Sequence, residues 1–262
     1  MKNTKFAFIL FFFITAALIW SAGNVEAYRL SEQRLIFRID RNPTQQVRVY
    51  NTRDYEIGMR VYPELAADQA AEEYLGDWLI VYPPQFNLAP GEERTVRFSV
   101  RPPEGIEAGE YRSLLYFEQL PPRVEPGDTA LEEEPGVSVG MNFTVKTGIN
   151  IYGQYAELDY RGGLENVELA EQEDGKHMLM GDFINEGNAH LRMQAALEIL
   201  NAEGEFVDES SRRFVVHRSS SATFREELQL PGGDGSYTVI LSFSQGGEII
   251  HEYQTEIVVD HN

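Results

Sequence analysis

Apolar and polar residues alternate strictly through the middle of the chain. In GVSVGMNFTVKTGINIY, Gly136 to Tyr152, the residues Val137, Val139, Met141, Phe143, Val145, Ile149 and Ile151 fall on one parity, and only Thr147 breaks the row. Period two puts a whole apolar set on one face of a strand. This strand is long for a globular protein, so its row either closes the chain's own core or serves a partner. Shorter β-patterned runs stand on both sides of it, cut by Gly, Pro, Asn and Asp. Before it come Leu35–Ile39, Gln46–Tyr50, Ile57–Pro63, Trp78–Tyr82, Arg94–Arg101 and Tyr111–Gln119, with Ala66–Tyr74 as a helical turn or acidic loop. After it come Ala156–Tyr160, Met178–Asn185, Leu191–Leu200, Arg213–His217, Ala222–Leu230, Tyr237–Ser244 and Ile249–Val259. Leu191–Leu200 has helical composition, yet Leu191, Met193, Ala195, Leu197 and Ile199 share one parity, which favours a strand.

About seven strands in each half, with turn signals every 8–12 residues or so, indicate an all-β chain folded as two sandwiches. The expected boundary lies at Gly153–Gln154, giving a first domain over 28–153 and a second over 154–262. Pro83 and Pro84 lack the amide donor that a central ladder requires, so they end a strand or put it at an edge. Pro90–Gly91 provides the turn that brings the chain back.

The first 27 residues stand apart from this pattern. Lys2 and Lys5 precede an apolar run from Phe6 to Trp20, and small residues at Val25 and Ala27 fit cleavage after Ala27. This is the form of a secretory signal peptide, since roughly 15 apolar residues fall short of the ~20 that a spanning helix needs. An exported chain without cysteine has no disulfide, thiolate or cysteine-metal chemistry, and its stability rests on packed cores. A net charge of −20 keeps it soluble and disfavours nucleic acid and anionic membrane.

Enzyme signatures are missing. No glycine-rich phosphate loop, HExxH or nucleophile elbow is present. The histidines His177, His190, His217, His251 and His261 are widely spaced. The clusters Ser210–Ser211 and Ser219–Ser221 suit loops, and Glu72–Glu73 and Glu132–Glu134 suit surface charge. No catalytic residue, metal or cofactor is expected.

Several stretches together resemble the periplasmic pilus-assembly chaperones of the chaperone–usher (PapD-like) family. WLIVYPPQFNLAPGEERTVRFSV, Trp78 to Val100, is similar to that family's strand, double proline, Pro-Gly-Glu turn and following strand. GIEAGEYRSLLYFEQLPP, Gly105 to Pro122, resembles a second family segment. EQRLIF with Arg34, Asn51 after VRVY, and the Asn-x-Gly-Asn of FINEGNAHLRMQAALEILNAEG also fit. The resemblance covers nearly all of the chain after the leader, and is strongest in the first half.

It implies two immunoglobulin-like β-sandwiches set at an angle, and a soluble periplasmic chaperone. Such a protein binds pilus or fimbrial subunits by donor-strand complementation and delivers them to an outer-membrane usher. The lent row would be Val137, Val139, Met141, Phe143 and Val145, with the strand from Thr147 onward filling the protein's own core. A carboxylate anchor in the cleft would use Arg34 and a second residue near the end of the long strand. The family has lysine there; this chain has Asn150, which donates hydrogen bonds but carries no charge. Lys146 lies about 13 Å away along the strand, too far to substitute directly. The alternative is a secreted or surface-associated immunoglobulin-like protein without chaperone activity.

Overall fold

The computed structural model describes residues 27–121, 144–171, 176–230 and 235–259. Nine strands form the first sandwich: β1 (Tyr28–Leu30), β2 (Arg34–Arg38), β3 (Thr44–Asn51), β4 (Ile57–Glu64), β5 (Leu79–Tyr82), β6 (Gln85–Leu88), β7 (Glu93–Val100), β8 (Gly109–Gln119) and β9 (Lys146–Tyr155). Seven form the second: β10 (Gly162–Glu171), β11 (His177–Asn185), β12 (Leu191–Asn201), β13 (Phe206–Val216), β14 (Ser221–Leu228), β15 (Gly235–Gln245) and β16 (Glu248–Val259). In the first sandwich a four-stranded sheet, β1-β3-β7-β5, faces a five-stranded sheet, β2-β9-β8-β4-β6. In the second, β10-β11-β14 faces β13-β12-β15-β16. The fold is two tandem immunoglobulin-like β-sandwiches.

Each core follows from strand alternation. Val47 and Val49 of β3, Val96 and Phe98 of β7, Met59 and Val61 of β4, and Leu115 and Phe117 of β8 point inward and are buried. In the second sandwich Phe183, Phe214 and Phe224 gather around Phe243, with ring centroids 4.6, 5.6 and 5.5 Å from it. At the start of β8 the Tyr111 hydroxyl donates to the Glu107 carbonyl at 2.9 Å. This is the tyrosine corner common in such sandwiches.

From β1 to β8 each connection of the first sandwich crosses between the facing sheets. β1 pairs with β3, whereas β2, three residues on, pairs in parallel with β9. β5 is the edge of the four-stranded sheet and β6 the edge of the five-stranded one. Pro83 and Pro84 fill the crossover, as their missing donors require. The Ala89–Glu92 turn, with Gly91 at φ 69°, leads back to the four-stranded sheet.

The sequence-based strand assignments hold for most runs, Leu191–Leu200 included, with five differences. β1, β6 and β10 are additional strands: the first two are short edge strands, and β10 carries a bulge between Glu165 and Glu168 that breaks its period. Ala156–Tyr160, expected as a strand, is irregular, because Asn188 rather than a neighbouring strand satisfies its backbone. The Asn188 side chain accepts from the Asp159 amide at 2.7 Å and donates to the Glu157 carbonyl at 3.2 Å. Ser210 and Ser211, expected in a loop, lie within the long β13.

Candidate strand-addition site

The site is built on one edge of the five-stranded sheet. Leu35 and Phe37 of β2, and Ile149 and Ile151 of β9, face the core, so Arg34 and Asn150 face outward by the period-two rule. The parallel register of β2 on β9 begins at Arg34↔Asn150 and ends at Arg38↔Gln154. The two residues expected to form an anchor, more than a hundred positions apart in sequence, are thus direct neighbours. Arg34 is exposed and Asn150 partly so. Neither side chain makes a hydrogen bond or ion pair with another described residue. Lys146 is differently placed: its ammonium bonds Glu64 at 2.8 Å and lies 3.7 Å from the centre of the Tyr116 ring.

N-terminal to Asn150, the edge of β9 opposite β8 is open among the described residues. Residues Lys146 to Ile149 pair with β8 and with no other described strand. Exposed main-chain donors and acceptors on such an edge are a template for a further strand. A strand in the same lane as β2 and running the same way would end beside Arg34 and Asn150. Of the row expected to be lent, Val137, Val139, Met141 and Phe143 lie outside the described residues. Val145 is half-buried and packs against the first core. Beyond it Thr147 is exposed, and Ile149 and Ile151 are fully buried in that core.

Below Asn150 the outward face meets the second sandwich through a polar seam, buried at Glu110, Arg112 and His190, that the sequence did not reveal. Glu110 of β8 and His190, which precedes β12, are both buried and hydrogen-bonded to each other, and the His190 ring stacks on Tyr152 at 4.5 Å. Gln154 donates to the same carboxylate at 3.1 Å. Arg112 donates to Asp68 at 2.6 Å and to Nε2 of His217 at 2.8 Å. The latter bond needs the lone pair of a neutral imidazole. Burial, helped by Arg112, pushes the His217 pKa below the usual value. Glu73, expected as surface charge, is buried, and desolvation raises its carboxyl above the ordinary range although Arg218 lies 3.5 Å away. Two clues were in the sequence: the charged residues of EYRSL sit inside an apolar strand, and a histidine follows the Asn-x-Gly-Asn motif. Among the described residues, no three His, Asp or Glu side chains are placed to hold a metal ion.

Solved structures show where this architecture recurs. The crystal structure of the YadV chaperone matches with a TM-score of 0.50 at 12% identity, over 88% of this chain and 100% of its own. The class 5 fimbriae chaperone CfaA gives 0.48 at 15%, over 87% of this chain and 98% of its own. The E. coli chaperone DraB gives 0.45 at 16%, over 88% and 98%. No protein-family model and no curated protein sequence matches the chain. At such identities the likeness is one of fold: the protein shares the tandem-sandwich architecture of the YadV chaperone along nearly its whole length.

Proposed function

We propose that this protein is a periplasmic chaperone for pilus or fimbrial subunits, which it captures by strand addition at β9 and passes to an outer-membrane usher. The observation that carries the reading is the open edge of β9 ending at the Arg34–Asn150 pair. A subunit strand laid along Lys146–Ile149, parallel to β9, gains main-chain hydrogen bonds, and side chains on alternate positions give selectivity. Its terminal carboxylate reaches Arg34, whose guanidinium suits a bidentate, charge-assisted bond, with Asn150 adding a neutral amide donor. The alternating row Val137, Val139, Met141 and Phe143, which precedes β9 in the sequence, would fill the subunit's incomplete core, while Val145 packs against the protein's own. Each such side chain is worth roughly 1.5–3 kcal/mol before ordering costs. The two-sandwich fold and the leader-like N-terminus agree with a chaperone that works after export.

The test is periplasmic co-expression with an immunoglobulin-like subunit domain that lacks its last strand, followed by purification of the complex. Arg34→Ala should weaken capture tenfold or more while the melting temperature stays within about 2 °C, because an exposed arginine contributes little to folding. Charged residues at both Met141 and Phe143 should abolish capture. Undiminished capture by either variant removes the corresponding part of the mechanism. A parent protein that captures no such domain leaves a structural, non-chaperone role for the fold.

A further inference from the structure

The open edge of β9 is gripped from both faces of its sheet. Tyr28 belongs to β1 in the opposite sheet, where it pairs with Asn51. Its buried side chain crosses the sandwich and enters the β8–β9 ladder at the Phe117↔Thr147 pair. There its hydroxyl accepts from the Thr147 amide at 3.0 Å and donates to the Phe117 carbonyl. One rung further, the ladder is direct, with the Gln119 amide 2.9 Å from the Val145 carbonyl.

The outward face carries the second grip. Lys146 lies over the Tyr116 ring and within 5.1 Å of the Tyr62 ring centre, and its ammonium is paired with Glu64. Gly148 makes room for this arrangement, since a Cβ there would come within 2.7 Å of the Tyr116 ring. Tyr116 is the cross-strand partner of Gly148, so the aromatic covers the glycine directly and presents its face to the lysine. Both grips act on Lys146 to Gly148, the part of β9 with no described strand on its open side.

We infer that Tyr28 and Lys146 are positioning residues that hold the open edge of β9 in a fixed register, so that an incoming strand meets a pre-ordered template. Neither needs to touch the bound strand. Their effect is to remove the ordering cost that a frayed strand end would impose on each binding event. The grip itself belongs to the free protein; its consequence for binding rests on the chaperone reading above.

Two measurements separate these layers. In the free full-length protein, Tyr28→Phe keeps the ring and removes the bridge. Amide exchange at Thr147 should rise at least tenfold, with exchange at Ile151 and Phe183 unchanged. Unchanged or slower exchange at Thr147, or a uniform rise at all three, overturns the grip whether or not the protein binds subunits. With the co-expressed subunit domain, Lys146→Gln should speed dissociation about tenfold without moving the melting temperature, and Lys146→Arg should restore the parent rate. Equal dissociation rates for parent and Lys146→Gln, or failure of arginine to rescue, overturn the positioning role. Absence of capture by the parent refutes the chaperone reading and with it that role in binding, leaving the exchange result to decide the grip alone.

Discussion

Asn51 and Asn185 show how much one side chain does here. Each ends an inward-facing strand, is almost wholly buried, and donates its amide to three main-chain carbonyls. Asn51 reaches those of Tyr55, Leu88 and Ala89, and Asn185 those of Ala189, Val216 and His217. Each also accepts the amide two residues on, from Arg53 and Gly187 respectively. The two sandwiches, without visible sequence repetition, close one end by the same device. It works because a loop crossing a buried end has carbonyls that no strand can reach, and an unpartnered buried polar group costs about 1–3 kcal/mol. Asn185→Ala should therefore lower unfolding stability by about 2–3 kcal/mol, read as a shift in urea midpoint at unchanged slope. Asn51→Asp, which keeps the shape and loses both donors, should cost at least as much as Asn51→Ala.

At the scale of elements, β9 shows what a hydrophobic pattern can tell and where it stops. The alternation identified a strand and the face it would bury, and Ile149 and Ile151 are buried as the pattern requires. It did not show that Lys146–Ile149 would have an open side, because strand neighbours depend on where β2 lands. The Ala156–Tyr160 misassignment has the same origin: apolar spacing suited a strand, but Asn188 supplied the backbone partners instead. Gly187 belongs to that arrangement, since a Cβ there would lie 2.2 Å from the Asp159 carbonyl oxygen. Gly148 invites a test at this scale. Gly148→Ala should push the Tyr116 ring off Lys146 and cost about 1–2 kcal/mol, at the low end for overpacking because the ring can yield toward solvent. A melting temperature equal to the parent's would mean the ring moves without penalty.

At the scale of the whole molecule, the seam between the sandwiches makes stability depend on pH. His217 is held neutral, with its pKa below the ordinary 6.5. The unfolded chain thus binds a proton that the native state resists, and stability rises with pH across that window. The contribution is complete above about pH 6.5 and is lost as pH falls through the depressed value. Glu73 has the opposite sign: its raised pKa favours the native state at acid pH, and that contribution fades as pH rises above the ordinary carboxyl value of 4.5. From pH 7 to 5 the histidine contribution falls as the pH is lowered. His217→Gln retains an acceptor for Arg112 and should flatten the decline in melting temperature over that range relative to the parent. An identical pH profile would show that the seam does not sense His217.

The sequence by itself determined the all-β class, most of the strands and the strand end at Pro83–Pro84. All of these follow from local rules: period two fixes a strand's buried face, and proline lacks a donor. Through its resemblance it also picked out Arg34 and Asn150. Only the tertiary structure decided that these two residues are neighbours, that no described strand pairs with the edge beside them, and that buried Glu110, Arg112 and His190 form one seam with the half-buried His217. Those relations join residues separated by tens to more than a hundred positions. They depend on which strands pair and on how the two sandwiches meet, and a local pattern carries no record of either.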